Sequence, residues 1–243
     1  MIRLVVGLGN PGKDYERTRH NAGFWLVERF ASAGGLHFRK DPKYQALVAR
    51  LEGGHSASGC WLLLPQSFMN ASGRAVQMLA GFFKIQPQEI LVVHDELDFA
   101  PGVARVKQGG GIAGHNGLKD ISQRIGSHDY WRLRLGIGHP GDKSEVADYV
   151  LNRPSAEDRA AIDEAIERAL KVLPEMLTGD IQGAMQKLHS GEPKKKEPEK
   201  KEPEKKAPEK KESPKREVPV KEPENKPEPQ KSGGLLKSFF GKK

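Results

Sequence analysis

Residues 90–96 read Ile-Leu-Val-Val-His-Asp-Glu. Four consecutive apolar residues, three of them β-branched, are too few for a helix and carry no polar position to face solvent; they predict a strand (90–94) buried on both faces. Working outward, similar short runs stand at 3–7 (RLVVG), 44–51, 60–64 (CWLLL), 103–107 and 132–137 (RLRLGI). Between them lie amphipathic stretches at 22–33, 72–83, 116–125, 155–173 and 180–188, whose apolar spacing predicts helices. This alternation predicts a single α/β domain over residues 1–190, with a twisted, mostly parallel sheet flanked by helices. Segment 103–107 follows the 90–94 strand across Pro101-Gly102 and is expected to return beside it as a hairpin, making the sheet mixed.

The 243 residues carry a formal net charge of +8, which invites a nucleic-acid reading until the charge is located. Residues 191–243 hold 17 of the 40 Lys+Arg, 11 of the 32 Asp+Glu and nine of the 17 prolines, so the tail carries +6 and residues 1–190 only +2. Prolines at a spacing of about five, with almost no apolar residues, predict a disordered tail, since nothing there offsets the entropy of ordering. Leu235, Leu236, Phe239 and Phe240 near its end would share one helical face, but the nine residues after Gly-Gly are too few for a stable helix, and a frayed terminus is expected. The tail's partner is unknown. A single Cys60 excludes a disulfide framework and a structural zinc site, and it points to a reducing compartment, with the cytoplasm as default. Residues 1–8 are too short for a signal-peptide core, and no run nears the roughly 20 apolar residues of a membrane span.

Gly7-Leu8-Gly9-Asn10-Pro11-Gly12 matches the dinucleotide pattern G-x-G-x-x-G. However, Pro11 removes a phosphate-binding donor, 13–20 lacks a core-facing period, and 31–40 contains no acid to hold a ribose. A cofactor site is disfavoured, and no cofactor is expected; the glycines instead let the chain turn at a strand end with Asn10 projecting there. His20-Asn21 comes just before the first helix, while Phe68-Met69-Asn70, Asp95-Glu96 and His115-Asn116 fall at strand ends or after a glycine-rich loop. If the carboxyl ends of the strands share an edge, these groups converge on one cleft. An Asp beside a His suits a carboxylate orienting an imidazole that takes a proton from water, while Asn side chains suit a carbonyl or its oxyanion. Taken singly, each has a plainer reading. Asn21 is read first as a helix N-cap, and Asn70 and Asn116 could likewise cap the helices that follow. His94, His128 and His139 are read as structural or exposed, and Cys60 as a small buried strand residue. No H-E-x-x-H, C-x-x-C or G-x-S-x-G occurs, and no metal is expected.

The runs GLGNPGKDYERTRHNAG (7–23), PQSFMNASG (65–73), HDELDFAPG (94–102), KQGGGIAGHNGLKDI (107–121) and RLRLGIGHPGDK (132–143) together resemble the motifs of bacterial peptidyl-tRNA hydrolases, in family order. The resemblance implies a monomeric enzyme that hydrolyses the ester between a prematurely released peptide and the 3′ ribose of tRNA, with peptidyl-tRNA as its partner. It implies His20 as general base without a covalent intermediate, Asp95 as its support, and Asn10 as the residue distinguishing peptidyl-tRNA from aminoacyl-tRNA with a free amine. Tyr15, Phe68, Asn70 and Asn116 would contact substrate, with Met69 an apolar wall of the same cleft. Lys107 and Arg134 would clamp a tRNA phosphate and Lys143 extend that patch, which suits a point charge beside a planar fork. Ser67 stands where the family pattern has Thr, and Phe99-Ala100 where it has a Leu-Pro-like pair; neither bears on a catalytic role.

Overall fold

In the computed structural model, which describes residues 1–52 and 59–191, seven strands form one sheet. They are β1 (Leu4–Gly7), β2 (Arg39–Asp41), β3 (Ala46–Leu51), β4 (Cys60–Pro65), β5 (Ile90–Glu96), β6 (Ala104–Gln108) and β7 (Trp131–Gly136), in the order β2-β3-β4-β1-β5-β7-β6. The central four, β4, β1, β5 and β7, run parallel; β2 with β3, β3 with β4 and β6 with β7 pair antiparallel. The expected mixed α/β sheet is therefore present. Its helices are α1 (Ala22–Ala33), α2 (Gly73–Phe82), α3 (Asn116–Ile125), α4 (Val146–Leu151), α5 (Ala156–Thr178) and α6 (Ile181–Ser190). The chain divides into two units, Met1–Lys196 and Glu197–Lys243. The second, with its apolar tip 235–240, lies outside the described residues. No helix among the described residues is long and apolar enough to cross a membrane.

Strand alternation sorts the sheet's side chains into two cores. Val5, Leu62, Leu91 and Val93 pack with α1, α5 and α6, while Leu4, Val6, Leu63, Ile90 and Val92 pack with α2 and α3. Each such aliphatic side chain contributes about 1.5–3 kcal/mol when fully buried, so two layers of them hold the parallel centre in place.

The sheet differs from the expected one at β6. This strand does not return beside β5; β7 lies between them, parallel to β5 and antiparallel to β6. The reason is burial. β7 buries Arg132, Leu133 and Leu135, whereas β6 exposes Arg105, Lys107 and Gln108 and suits an edge. The other edge, β2, consists of Arg-Lys-Asp and gave no hydrophobic signal. Helix α5 continues past Pro174, where a stop was expected, to Gly179 (φ +107°), because burying Met176 and Leu177 outweighs the hydrogen bond proline forgoes. Since the four central strands are parallel, the carboxyl ends of β1, β4, β5 and β7 share one edge, and the loops beyond them form the site.

Candidate active site

The two-residue period of β5 sends His94 and Asp95 to opposite faces, and Asp95, at 3% exposure, meets two imidazoles. His20 sits in a single 3-10 turn (Arg19–Asn21) ahead of α1, with Nδ1 3.0 and 2.9 Å from the two Asp95 carboxylate oxygens. His115 Nε2 lies 3.0 Å from Asp95 Oδ1. His115, not Asn116, caps α3: its Nδ1 accepts the Gly117 and Leu118 N–H groups at 3.2 and 3.4 Å. A ring nitrogen that accepts carries no proton, so the proton of His115 is on Nε2 and is donated to Asp95. Burial would raise the Asp95 carboxyl, but His20 and His115 outweigh it and hold Asp95 well below the usual carboxylate range. His20 Nδ1 is thus the donor, and Nε2 keeps its lone pair. Burial would lower the basicity of His20; the charge and hydrogen bond of Asp95 overcome this and raise it above the ordinary imidazole value. The turn itself is braced by Arg19, whose guanidinium donates to the Tyr149, Asn152 and Arg153 carbonyls and lies 4.0 Å over the Tyr149 ring.

Asn21 does not cap α1. Its amide forms a reciprocal pair with the backbone of Asn10: Asn10 N–H donates to Oδ1 at 2.9 Å and Nδ2 donates to Asn10 O at 3.0 Å. Asn10 Oδ1 in turn accepts the Met69 N–H at 2.8 Å, which leaves Nδ2 as the donor Asn10 can offer. Nor does Asn70 cap α2. Asp120 of α3 accepts the Gly73 N–H at 2.8 Å instead, and Asn70 is exposed on the turn after Met69. Tyr15 packs edge-on against the exposed Phe68, with centroids 6.1 Å apart.

A cleft of about 500 Å³ is lined by His20, Asp95, His115, Asn116, His139 and Lys143, with Val146 and Val150 of α4 forming an apolar wall. His139 and α4 drew no functional reading from the sequence, and their contribution to the cleft comes from the fold. Lys107 and Arg134 lie on neighbouring strands, where Arg134 Nε donates to Glu96 at 2.8 Å and its guanidinium lies 4.3 Å over Phe99. Arg132, on the same strand, donates to the Gly110 and Gly111 carbonyls and so ties down the loop leading to His115. Among the described residues, His20, Asp95 and His115 are the one cluster that could ligate a cation, their ligand atoms lying within 4.8 Å of one another. Both ring nitrogens facing the carboxylate are engaged as donors, so an ion would have to displace both bonds. Cys60 is buried, its thiol pushed up to about 12 by burial, and it takes no part.

Fold and site define an α/β protein of the hydrolase kind, with an imidazole–carboxylate pair and neutral amides at the carboxyl edge of its sheet. The family model for peptidyl-tRNA hydrolase matches residues 4–199. Peptidyl-tRNA hydrolases of Thiobacillus denitrificans (56% identity over 188 residues, 77% of this chain and 90% of the relative) and Neisseria gonorrhoeae (53% over 189 residues, 78% and 97%) are similar along almost their whole length. The crystal structure of the Acinetobacter baumannii peptidyl-tRNA hydrolase superposes with a TM-score of 0.75 at 44% identity, covering 79% of this chain and 96% of that one. The chain belongs to the peptidyl-tRNA hydrolase family, a family of enzymes.

Proposed function

We propose that the protein cleaves the ester between peptide and tRNA with a water activated by His20 Nε2, without a covalent intermediate. The observation carrying this reading is the fixed proton arrangement at Asp95, in which two imidazoles donate to one carboxylate and only His20 keeps a free basic nitrogen toward the cleft. As water adds to the ester carbonyl its proton passes to His20, and Asp95 stabilises the imidazolium; the same proton then leaves with the ribose oxygen. On this reading Asn116, which lines the cleft, donates to the developing oxyanion.

Asn10 selects for a blocked amine. With Oδ1 occupied by Met69, Nδ2 can donate to the acyl carbonyl of a peptide, whereas a free ammonium offers only donors and finds no acceptor there. Tyr15 and Phe68 present aromatic edges and faces to the substrate, Met69 lines its path, and Asn70 meets it from the exposed turn. Lys107 and Arg134, with Lys143, meet tRNA phosphate; the Glu96 bond to Arg134 Nε aims that guanidinium. The catalytic unit is residues 1–190, working as a cytoplasmic monomer, and 191–243 is a spacer.

The test compares release of N-acetyl-aminoacid from its tRNA ester by wild type and His20→Ala, with tRNA affinity measured in parallel. Loss of general-base help costs about 10²–10⁴-fold in turnover while binding survives. Turnover near the wild-type rate would overturn the assignment.

A further inference from the structure

His94 is one residue from the catalytic carboxylate, yet the mechanism above does not use it. It is 2% exposed; its Nδ1 donates to the Asp95 carbonyl at 2.6 Å, and its ring stands edge-on to His115 with centroids 5.0 Å apart. Its Nε2 is buried and has no hydrogen-bond partner among the described residues. Burial, with His115 next, pushes its basicity down to about 3, so the ring is neutral and Nε2 is an acceptor that lacks a donor. His94 lines a cavity of about 30 Å³ whose other walls include Glu96, Lys107, Arg132 and Arg134. That volume admits a water or two and is too small for a phosphate group, and the walls are polar enough to hold water.

We propose that this cavity is a built water site and that His94 is a positioning residue for Asp95: a water donates to His94 Nε2 and accepts from the surrounding cations, joining the phosphate-facing residues to the backbone of the catalytic carboxylate. The chain runs from Lys107 and Arg134 through the water and the His94 ring to the Asp95 carbonyl. Its phosphate-facing end rests on the reading under Proposed function; the water site and the role of His94 do not.

His94→Asn separates the two ends of the ring, because the asparagine amide can supply the donor at the position of Nδ1 and has nothing at Nε2. A crystal structure of the wild type at a resolution that shows ordered solvent is expected to place a water within hydrogen-bond distance of Nε2, and a dry cavity overturns the site. In His94→Asn, kcat should fall about three- to tenfold, the worth of one hydrogen bond, with KM within twofold. Unchanged kcat overturns the positioning role. Should His94→Asn fail to fold, His94→Gln, which can reach the Nε2 position, is read in the same way: water retained in its crystal structure supports the site, and water lost overturns it. The link to the clamp is read from the double variant with Lys107→Ala, where the two effects on kcat should be less than multiplicative; multiplicative effects remove the link. If Lys107→Ala alone leaves KM unchanged, the phosphate assignment fails while the solvent structure and the kcat of His94→Asn still decide this proposal.

Discussion

The side chain of Asn21 is spent on Asn10, and its two hydrogen bonds to that backbone are both buried. Each is worth about 0.5–1.5 kcal/mol, so Asn21→Ala should lower stability by about 1–3 kcal/mol in urea unfolding. On the proposed role of Asn10, it should also narrow the preference for blocked over free aminoacyl-tRNA by about tenfold, approaching Asn10→Ala. A stability loss with selectivity intact would leave Asn21 a purely structural residue. Its role was not legible in the sequence. A polar residue one position before a helix satisfies the N-cap pattern whether it caps or not, and only the partner 11 residues upstream distinguishes the two. The cap of α3 misled for the same reason: Asn116 has the capping side chain, but His115 lies where the backbone N–H groups point. Asp95 was legible as a candidate because strand-end placement is a local property; His20, in a turn ahead of α1, was singled out by the motif resemblance, and only the fold brings it to Asp95.

At the scale of elements, the site depends on α1 lying directly on the ends of β1 and β5. Gly23 permits this: a Cβ there would fall inside contact distance of the Val93 carbonyl and of the Leu8 N and O atoms. Gly23→Ala should cost about 1–3 kcal/mol or more, measured by denaturant unfolding, and should lower kcat, because the turn carrying His20 precedes Gly23 by only a few residues. Unaltered stability would mean that α1 can shift without disturbing the sheet. The run at 90–96 was decisive because continuous apolar sequence demands neighbours on both sides. That rule does not separate β6 from β7, because both alternate charged with apolar residues; it is the fold that buries Arg132 of β7 against the Gly110 and Gly111 carbonyls and leaves Arg105, Lys107 and Gln108 of β6 exposed at the edge. Sequence proximity across Pro101-Gly102 pointed the other way and was overridden by burial. The short β2 has no apolar residue, and the six residues of α4, though mostly apolar, are too few to show a period, although α4 supplies a wall of the cleft.

For the whole molecule, the charge separates into a nearly balanced unit at 1–190 and a tail at +6 that also holds 11 acidic residues. If the tail is a spacer, ending the chain at Ser190 should leave kcat and the salt dependence of tRNA affinity unchanged; a shallower salt slope would instead show that its lysines contact phosphate. On the proposed reading, placed groups rather than bulk charge carry recognition, and the reaction rests on one His–Asp pair. The pH dependence of kcat/KM for N-acetyl-aminoacyl-tRNA tests that pair most directly. His20 gains basicity from Asp95, so the wild-type rate should rise through an acid limb whose midpoint lies above the ordinary imidazole value of 6.5. Asp95→Asn removes the charge that raises it, so the limb should move to lower pH while the plateau falls by about 10²–10⁴-fold. A limb that stays in place in Asp95→Asn, or a wild-type midpoint at or below 6.5, would contradict the account.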